Sequence, residues 1–295
     1  MTEKATLPRA PCRRPRLWRS AVVICASLLG SCLGSPAQAE SAYPWQPSLT
    51  AADATLAKRF APPPGFERMP VAPGSFGGWL RALPMQPEGA RVHLYTGAEK
   101  ARQDVQAGVI AIDTGLKDLQ QCADAVMRLR AEWLYASNRQ GEIAFNVMEG
   151  GRVPFSRWAK GERPSPSGKI WTAKAARDGS YENFRRYLDF IFAYAGTLSL
   201  EKELVPVTDP QTIEPGDVFI KSGSPGHAVI VADVAISANT KARRYLLVQS
   251  FMPAQEMHVL HNPANPDGSP WYALPHGDLV TPEWTFASGS LKRWP

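Results

Sequence analysis

The sequence predicts an α+β fold, because it contains both helix-like and strand-like segments. Apolar side chains recur at spacings of three and four along residues 113–135, which is the period of a helix: Leu119, Cys122, Val126, Leu129 and Trp133. The run Ala228–Val231 is short and apolar and follows a Ser/Gly/Pro turn, which is typical of a buried strand. Tyr245–Ser250, reading YLLVQS, is a second extended segment. Together these segments indicate helices packed on a sheet.

Residues 1–39 have the order of a secretory signal peptide. Basic residues precede the apolar stretch Ala21–Leu29, and the small-residue site Ala37-Gln38-Ala39 follows it. The apolar stretch is too short to span a bilayer. Leu29-Gly30-Ser31-Cys32 also resembles the bacterial lipoprotein box, in which the cysteine is lipidated. Either alternative exports the chain to the bacterial periplasm or envelope, with membrane attachment only if Cys32 is lipidated.

Export changes both the charge and the cysteine content of the chain. The full chain has 33 Lys and Arg against 27 Asp and Glu, and residues 1–39 hold six of the former and one of the latter. The mature chain is therefore almost neutral, so we expect no nucleic-acid partner. Cys122 is then the single thiol that is neither removed nor lipidated. In an oxidising compartment such a thiol is either an inert core residue or a nucleophile.

The position of Cys122 in its helix decides between these two roles. Gly115 and Asp118 mark the helix entry, which places Cys122 near the first turn. A thiol in the first turn faces free backbone N–H groups and the positive end of the helix dipole, which can lower its pKa. Deeper in the helix, the same thiol would be an ordinary core residue.

His227 occupies the last step of the turn SGSPGH, directly before the apolar run. A strand fixes the backbone at such a position, while the turn leaves one side of the ring open, as active-site groups require. The competing interpretation is a buried structural histidine. A partner for its ring is needed to decide between them.

The order of these two residues resembles that of papain-like thiol enzymes, with a cysteine at a helix start and a histidine at a strand start. QQCADAVMRLRAEWL resembles the nucleophile helix of the bacterial CHAP amidases. EPGDVFIKSGSPGHAVIVADV resembles a segment shared by CHAP and NlpC-type peptidoglycan endopeptidases. The pair QCADA and GSPGHAVIV is also similar to a family of secreted bacterial proteins of unknown function.

This resemblance implies a papain-like antiparallel sheet with a packed nucleophile helix, over about residues 116–260. It implies Cys122 as the nucleophile and His227 as its base. Gln249 would orient the ring, at a position where relatives place His, Asn or Glu, and Gln121 with backbone N–H groups would hold the oxyanion. The expected reaction is amide hydrolysis or acyl transfer through a thioester, without a cofactor. Peptide stems of peptidoglycan are the leading substrate, and another envelope amide is the alternative.

Three segments organise the chain. Residues 1–39 are the signal, residues 40–106 form a Pro/Gly-rich N-terminal arm expected to wrap the core as an extended segment, and residues 107–295 form the papain-like domain. An insertion at about 138–205 interrupts this domain.

The insertion contains a Pro/Gly-rich loop and a second helix. Trp158 and Trp171 lie in the loop, where tryptophan can line a glycan or peptide groove but more often anchors the loop by burial. The helix is predicted over Ser180–Ala195. Its aromatic stripe recurs at helical spacing, which favours a role in the core.

Two rival functions remain open on the sequence. His258 and His261 form a His-x-x-His pair, but on a strand this spacing sends the rings to opposite faces, and no neighbouring Cys, His or Asp completes a metal site. We therefore expect no metal. The other rival is a catalytically inactive papain-like fold that acts as an envelope binding module. The uncharged Gln249 at the third position keeps that alternative open.

Overall fold

The computed structural model describes residues 55–295, so the predicted signal peptide and residues 40–54 of the arm lie outside the described residues. The helices are α1 (Leu56–Arg59), α2 (Phe76–Arg81), α3 (Cys122–Ala136), α4 (Phe155–Ala159), α5 (Tyr181–Tyr194) and α6 (Thr197–Glu201). The strands are β1 (Phe66–Arg68), β2 (Gln106–Val109), β3 (Ala144–Asn146), β4 (Arg152–Pro154), β5 (Glu162–Pro164), β6 (Trp171–Ala173), β7 (Val205–Pro206), β8 (Val218–Lys221), β9 (His227–Ser237), β10 (Arg243–Gln249), β11 (His258–Leu260), β12 (Tyr272–Ala273), β13 (Leu279–Val280), β14 (Thr285–Phe286) and β15 (Leu291–Arg293).

The main sheet is antiparallel and is centred on β9. Its strand order is β2-β11-β10-β9-β8-β15-β7, while β1 adds to β9 and β12 adds to β10. Ile230 of β9 pairs with Val248 on one side and with Val218 on the other. Three two-stranded sheets, β3-β4, β5-β6 and β13-β14, lie apart from it. The expected combination of helices with an antiparallel sheet is confirmed.

The two faces of β9 pack against different layers. Ala228 and Ile230 belong to the core that α3 covers. Val229 and Val231 belong to a second core on the opposite face, together with Phe286 of β14. Because both faces are covered, the strand reads as a continuous apolar run instead of an alternating one.

Helix α3 begins at Cys122, so the thiol lies in the first turn as expected, although Gly115 and Asp118, which mark the entry in the sequence, precede the helix. The backbone N–H of Gln121, the residue before the helix, donates to the Asp124 carboxylate at 3.0 Å, which ties down the helix start. Further along, the fully buried Arg128 pairs with Glu132 at 3.3 Å and with Asp113 at 2.8 Å. Buried charges need such partners, since each would otherwise carry an uncompensated desolvation cost.

The described part of the N-terminal arm is not the extended wrap that its composition predicts. It contains α1, β1 and α2, and Leu56 and Leu80 of the two helices are fully buried in the main core. Strand β1 joins the sheet through Phe66, which pairs with Ser237. The buried Asp233 of β9 binds Arg68 at 2.7 Å. Scattered apolar residues with no clear period thus form short elements, which only tertiary packing stabilises.

The insertion packs its aromatic residues inward. Ser180 caps α5, and the predicted stripe is buried: Phe184, Tyr187, Leu188, Ile191 and Phe192. Trp158 is also buried, and its indole N–H donates to Asn183 at 3.0 Å. Trp171 is half-buried beneath the Arg157 guanidinium, which lies 4.1 Å from the ring centroid. Both tryptophans therefore anchor this segment, which the sequence predicts as a loop but which forms short elements, with Trp158 in α4 and Trp171 in β6.

Candidate active site

Cys122 lines a cleft of about 400 Å³. The cleft walls come from the start of α3, the α5–α6 junction and the turn that precedes β9: Asp118, Gln121, Phe192, Thr197, Gly223–Gly226 and Met252. The turn is held close to α6, since a Cβ on Gly226 would lie 2.5 Å from the Thr197 hydroxyl oxygen and 2.6 Å from the Gly223 carbonyl oxygen. Glycine at position 226 therefore allows the turn to lie this close to α6 at the wall of the cleft.

The Cys122 thiol is protonated in this environment. Burial raises the pKa of Cys122 to about 11, and the negative charge of Asp124 acts in the same direction. Backbone N–H groups of Ala228, Ala123 and Cys122 itself oppose this increase by favouring the thiolate. The lowered pKa expected for a thiol in the first helical turn is therefore wrong for this structure, because desolvation outweighs the helix N-terminus.

The His227 ring is buried among aromatic side chains on the Phe286 face of the sheet. Its ring centroid lies 4.9 Å from that of Phe251, 5.2 Å from that of Trp284 and 5.7 Å from that of Phe286. Burial lowers the pKa of His227 to about 4, although its hydrogen bond with Gln249 acts in the opposite direction. The imidazole is therefore neutral near pH 7.

The structure brings Cys122 and His227 to the same end of β9. The backbone N–H that faces the Cys122 sulfur belongs to Ala228, the residue directly after His227. The ring of His227, however, lies on the face of β9 opposite to α3. No hydrogen bond joins the thiol to the ring within residues 55–295. The two groups are neighbours through the strand backbone, and their side chains do not touch.

Gln249 of β10 is the partner of the His227 ring. Its side-chain oxygen lies 2.9 Å from Nε2 of His227. Its amide nitrogen lies 2.7 Å from Oε2 of Glu283 and 3.2 Å from Nε2 of His258. Because the Glu283 carboxylate is salt-bridged to Lys100 at 2.7 Å, it accepts from the amide and donates nothing. The Gln249 oxygen must then face His227.

This orientation fixes the tautomer of His227. A carbonyl oxygen accepts hydrogen bonds, so Nε2 of His227 carries the proton that it receives. Nδ1 is then the unprotonated nitrogen, and it has no hydrogen-bond partner among the described residues. Nδ1 is therefore the atom that would accept a proton, although burial makes it a weak base by lowering the pKa of His227 to about 4.

The other residues expected near the site lie as follows. Gln121 lines the cleft, but its amide nitrogen donates to Asp118 at 3.0 Å. Ser250, the neighbour of Gln249, points to the opposite face, where its hydroxyl lies 2.8 Å from the carbonyl oxygen of Gln255 and 3.0 Å from that of Gln120. Only Gln249 therefore faces His227, in agreement with strand alternation.

Sequence reasoning missed three residues that support Gln249. The sequence suggests His258 only as a metal ligand, whereas its Nδ1 donates to the backbone oxygen of Glu256 at 2.9 Å. Lys100 and Glu283 lie outside the segment that carries the resemblance. The sequence around Glu283, directly before Trp284, contains no recognisable motif. Its contact with Gln249 is therefore apparent only from the fold.

Two further features concern metals and membranes. No group of three or more His, Cys, Asp or Glu side chains is arranged to bind a metal ion in the part of the chain that the structure describes. In that same region, every helix is too short or too polar to cross a membrane.

Comparison with known proteins gives a single family. No curated protein and no solved structure matches the chain. The sequence model of one family matches residues 56–293, which include the cleft, the sheet and the residues around His227. The chain therefore belongs to the family described as domain of unknown function 4846.

Proposed function

We propose that this protein is an exported bacterial thiol hydrolase that acts on amide bonds, with Cys122 as the nucleophile and His227 as the base. The observation that carries the proposal is the pairing of His227 Nε2 with Gln249 at 2.9 Å, which leaves Nδ1 unprotonated on the residue that precedes Ala228, whose backbone N–H faces the Cys122 sulfur. A papain-like order of nucleophile helix, histidine strand and orienting strand supports the same assignment.

The protonation states define the mechanism. With the pKa of Cys122 raised to about 11 and that of His227 lowered to about 4, the resting pair is a neutral thiol and a neutral imidazole. Because the ring lies on the face of β9 opposite to α3, we infer that substrate binding rearranges the turn before β9 and so brings Nδ1 of His227 to the sulfur. His227 then removes the thiol proton as the sulfur attacks the amide carbon. The backbone N–H of Cys122 and the amide of Gln121 stabilise the oxyanion.

Collapse of that intermediate breaks the C–N bond. The leaving amine takes the proton held by His227, and the acyl group remains on the Cys122 sulfur as a thioester. Water, activated by His227, then hydrolyses the thioester and regenerates the thiol. An amine acceptor in place of water would give acyl transfer with the same residues.

Peptide stems of peptidoglycan are the proposed substrate. The signal-like order of residues 1–39 would deliver the protein to an envelope in which these stems are an abundant amide polymer. The motifs QCADA and GSPGHAVIV resemble those of enzymes that cut the stems. Digestion of isolated sacculi tests this proposal. We expect wild type to release new stem fragments, detected by mass spectrometry, and Cys122→Ala to release none.

Thermal unfolding of Cys122→Ala provides the folding control for that experiment. Identical muropeptide profiles from the folded wild type and Cys122→Ala would contradict stem cleavage. The same pair of proteins is then assayed with ester substrates and with amine acceptors, which tests for hydrolysis or acyl transfer by Cys122 on substrates other than peptidoglycan.

One observation favours an alternative function. Cys122 is only 7 % exposed and lacks a hydrogen bond to the His227 ring among residues 55–295, as expected for a catalytically inactive fold that binds an envelope component. Iodoacetamide labelling separates the two functions. A Cys122 that reacts only after unfolding supports the binding module. Labelling of the native protein supports the hydrolase if its rate falls when isolated sacculi are added.

A further inference from the structure

We propose that Glu283, anchored by Lys100, is a positioning residue that acts on His227 through Gln249 and supplies the negative charge that glutamine lacks. This inference rests on the proposed function of Cys122 and His227. It assigns a catalytic purpose to a buried salt bridge formed by residues far from the nucleophile helix in sequence.

The hydrogen-bond chain runs in one direction. Lys100 donates to Oε1 of Glu283 at 2.7 Å, and Oε2 of the same carboxylate accepts from the Gln249 amide at 2.7 Å. The oxygen of Gln249 then accepts from Nε2 of His227 at 2.9 Å. Each donor and acceptor is used in the only orientation that its chemistry permits. The amide dipole of Gln249 therefore lies between the carboxylate and the imidazole.

The hydrogen bonds from Lys100 through Glu283 compensate for the lack of charge on Gln249. A neutral amide orients an imidazole but adds no charge to stabilise the imidazolium that forms when His227 takes the thiol proton. Hydrogen bonds to the Glu283 carboxylate polarise the Gln249 amide, which makes its oxygen a stronger acceptor. The nearby negative charge of Glu283 also raises the pKa of His227, an effect that the positive charge of Lys100 opposes more weakly.

The turn between β13 and β14 links this charge to the aromatic pocket. Trp284, next to Glu283, packs on the His227 ring at 5.2 Å between centroids. Lys100 lies 5.2 Å from the ring centroid of Phe251, which also contacts His227. One turn thus fixes the position of the ring and of the carboxylate, and Lys100 fixes both from the other side.

The burial of this salt bridge argues against a role in stability alone. Lys100 and Glu283 side chains are each 9 % exposed, and Gln249 is 1 % exposed. Removing two charges from water costs free energy that a buried pair often fails to recover, so apolar residues would serve a purely structural role better. The charged groups that act on His227 are Glu283 and Lys100, and His258 is a titratable neighbour.

The test replaces Glu283 by glutamine, which keeps the shape and removes the charge. We expect Glu283→Gln to lower the pKa of His227 by about one pH unit, measured by nuclear magnetic resonance of the imidazole. We expect kcat to fall about tenfold with little change in KM, because the charge acts when imidazolium forms. Glu201→Gln, which breaks a salt bridge of the same 2.7 Å length with Lys292, is the matched control.

A second variant provides rescue. Gln249→Glu in the Glu283→Gln background places a carboxylate directly on Nε2, so the pKa of His227 should rise and activity should recover in part. If Glu283→Gln does not fold, Lys100→Met with Glu283→Gln removes both buried charges and is measured in the same way.

Two outcomes would overturn the inference. One is a folded Glu283→Gln protein in which the titration of His227 and kcat match wild type. The other is a wild-type ¹⁵N spectrum showing the proton on Nδ1 of His227, which the hydrogen-bond chain forbids. Since the imidazole measurements need no turnover, failure of this inference is distinguishable from failure of the proposed hydrolase function.

Discussion

The Cys122 thiol has neighbours with opposite effects on its charge. Backbone N–H groups at the start of α3 and at Ala228 favour thiolate, while burial and the Asp124 carboxylate favour the protonated thiol. Asp124 is held in place by the N–H of Gln121, and its Oδ1 atom is buried with no hydrogen-bond partner among the described residues. Burial also raises the pKa of Asp124 well above its usual range, so it is in its ionised form that the residue securing the helix start adds to the effect of burial on the thiol.

Replacing Asp124 with asparagine should make Cys122 more reactive. The asparagine side chain would retain an acceptor for the Gln121 N–H but carry no charge, so the pKa of Cys122 should fall toward its ordinary value. We expect iodoacetamide to label native Asp124→Asn several-fold faster than wild type at pH 8. An equal labelling rate in two folded proteins would show that the carboxylate has no influence on the thiol.

The pH dependence of labelling tests the state of the wild-type thiol. With a pKa of about 11, the labelling rate should rise about tenfold per pH unit from pH 7 to 10, since only thiolate reacts. Mass spectrometry of the native protein at each pH provides the rates. A plateau below pH 8 would instead indicate a thiolate already formed near neutrality.

At the scale of elements, the turn before β9 determines where His227 and the cleft wall lie. Gly226 has no room for a side chain, because a Cβ there would lie 2.9 Å or less from the backbone oxygens of Gly223 and Lys221. These backbone oxygens cannot move aside as easily as the end of a flexible side chain. The turn is therefore tied to α6 by contacts that glycine alone permits.

Gly226→Ala should destabilise the protein and displace His227. We expect a loss of about 1–3 kcal/mol in the free energy of unfolding, measured in urea, from the forced backbone shift. Gly179→Ala is the matched control, since a Cβ at position 179 meets no atom within 4 Å. Similar stability of the two variants would contradict the close packing of the turn.

The same elements show which features the sequence predicts. The start of α3 and strand β9 follow from apolar spacing and turn residues, which act locally. The contact between Gln249 and His227 follows from strand alternation once the two strands are neighbours. Lys100 and Glu283 were not predictable, because they are 183 residues apart and meet only when β13 and β14 fold over the sheet.

At the scale of the whole molecule, export is the first property to test. Residues 1–39 carry the basic, apolar and small-residue order of a signal peptide, so cleavage should give a mature N-terminus at Glu40 or a lipidated Cys32. Mass spectrometry of the protein purified from the envelope fraction of a bacterial host distinguishes these two forms. An intact Met1 on a cytoplasmic protein would contradict export.

The stability of the whole fold should depend on pH through two buried histidines. Burial lowers the pKa of both His227 and His258 to about 4, from about 6.5 in an unfolded chain. Between these values the unfolded state binds more protons, so the free energy of unfolding rises with pH. The contribution of these groups should be complete above pH 6.5, fall as the pH is lowered toward 4, and change little below that.

This difference corresponds to up to about 3 kcal/mol per histidine. His258→Asn should therefore show a smaller loss of stability between pH 7 and pH 4.5 than wild type, measured by urea unfolding at each pH. The comparison uses the difference between the two pH values, so any fixed cost of the substitution cancels. His276→Asn, at an exposed position, should keep the wild-type dependence. If His258→Asn also keeps the wild-type pH dependence, the acid sensitivity of the fold comes from carboxylates and not from this buried imidazole.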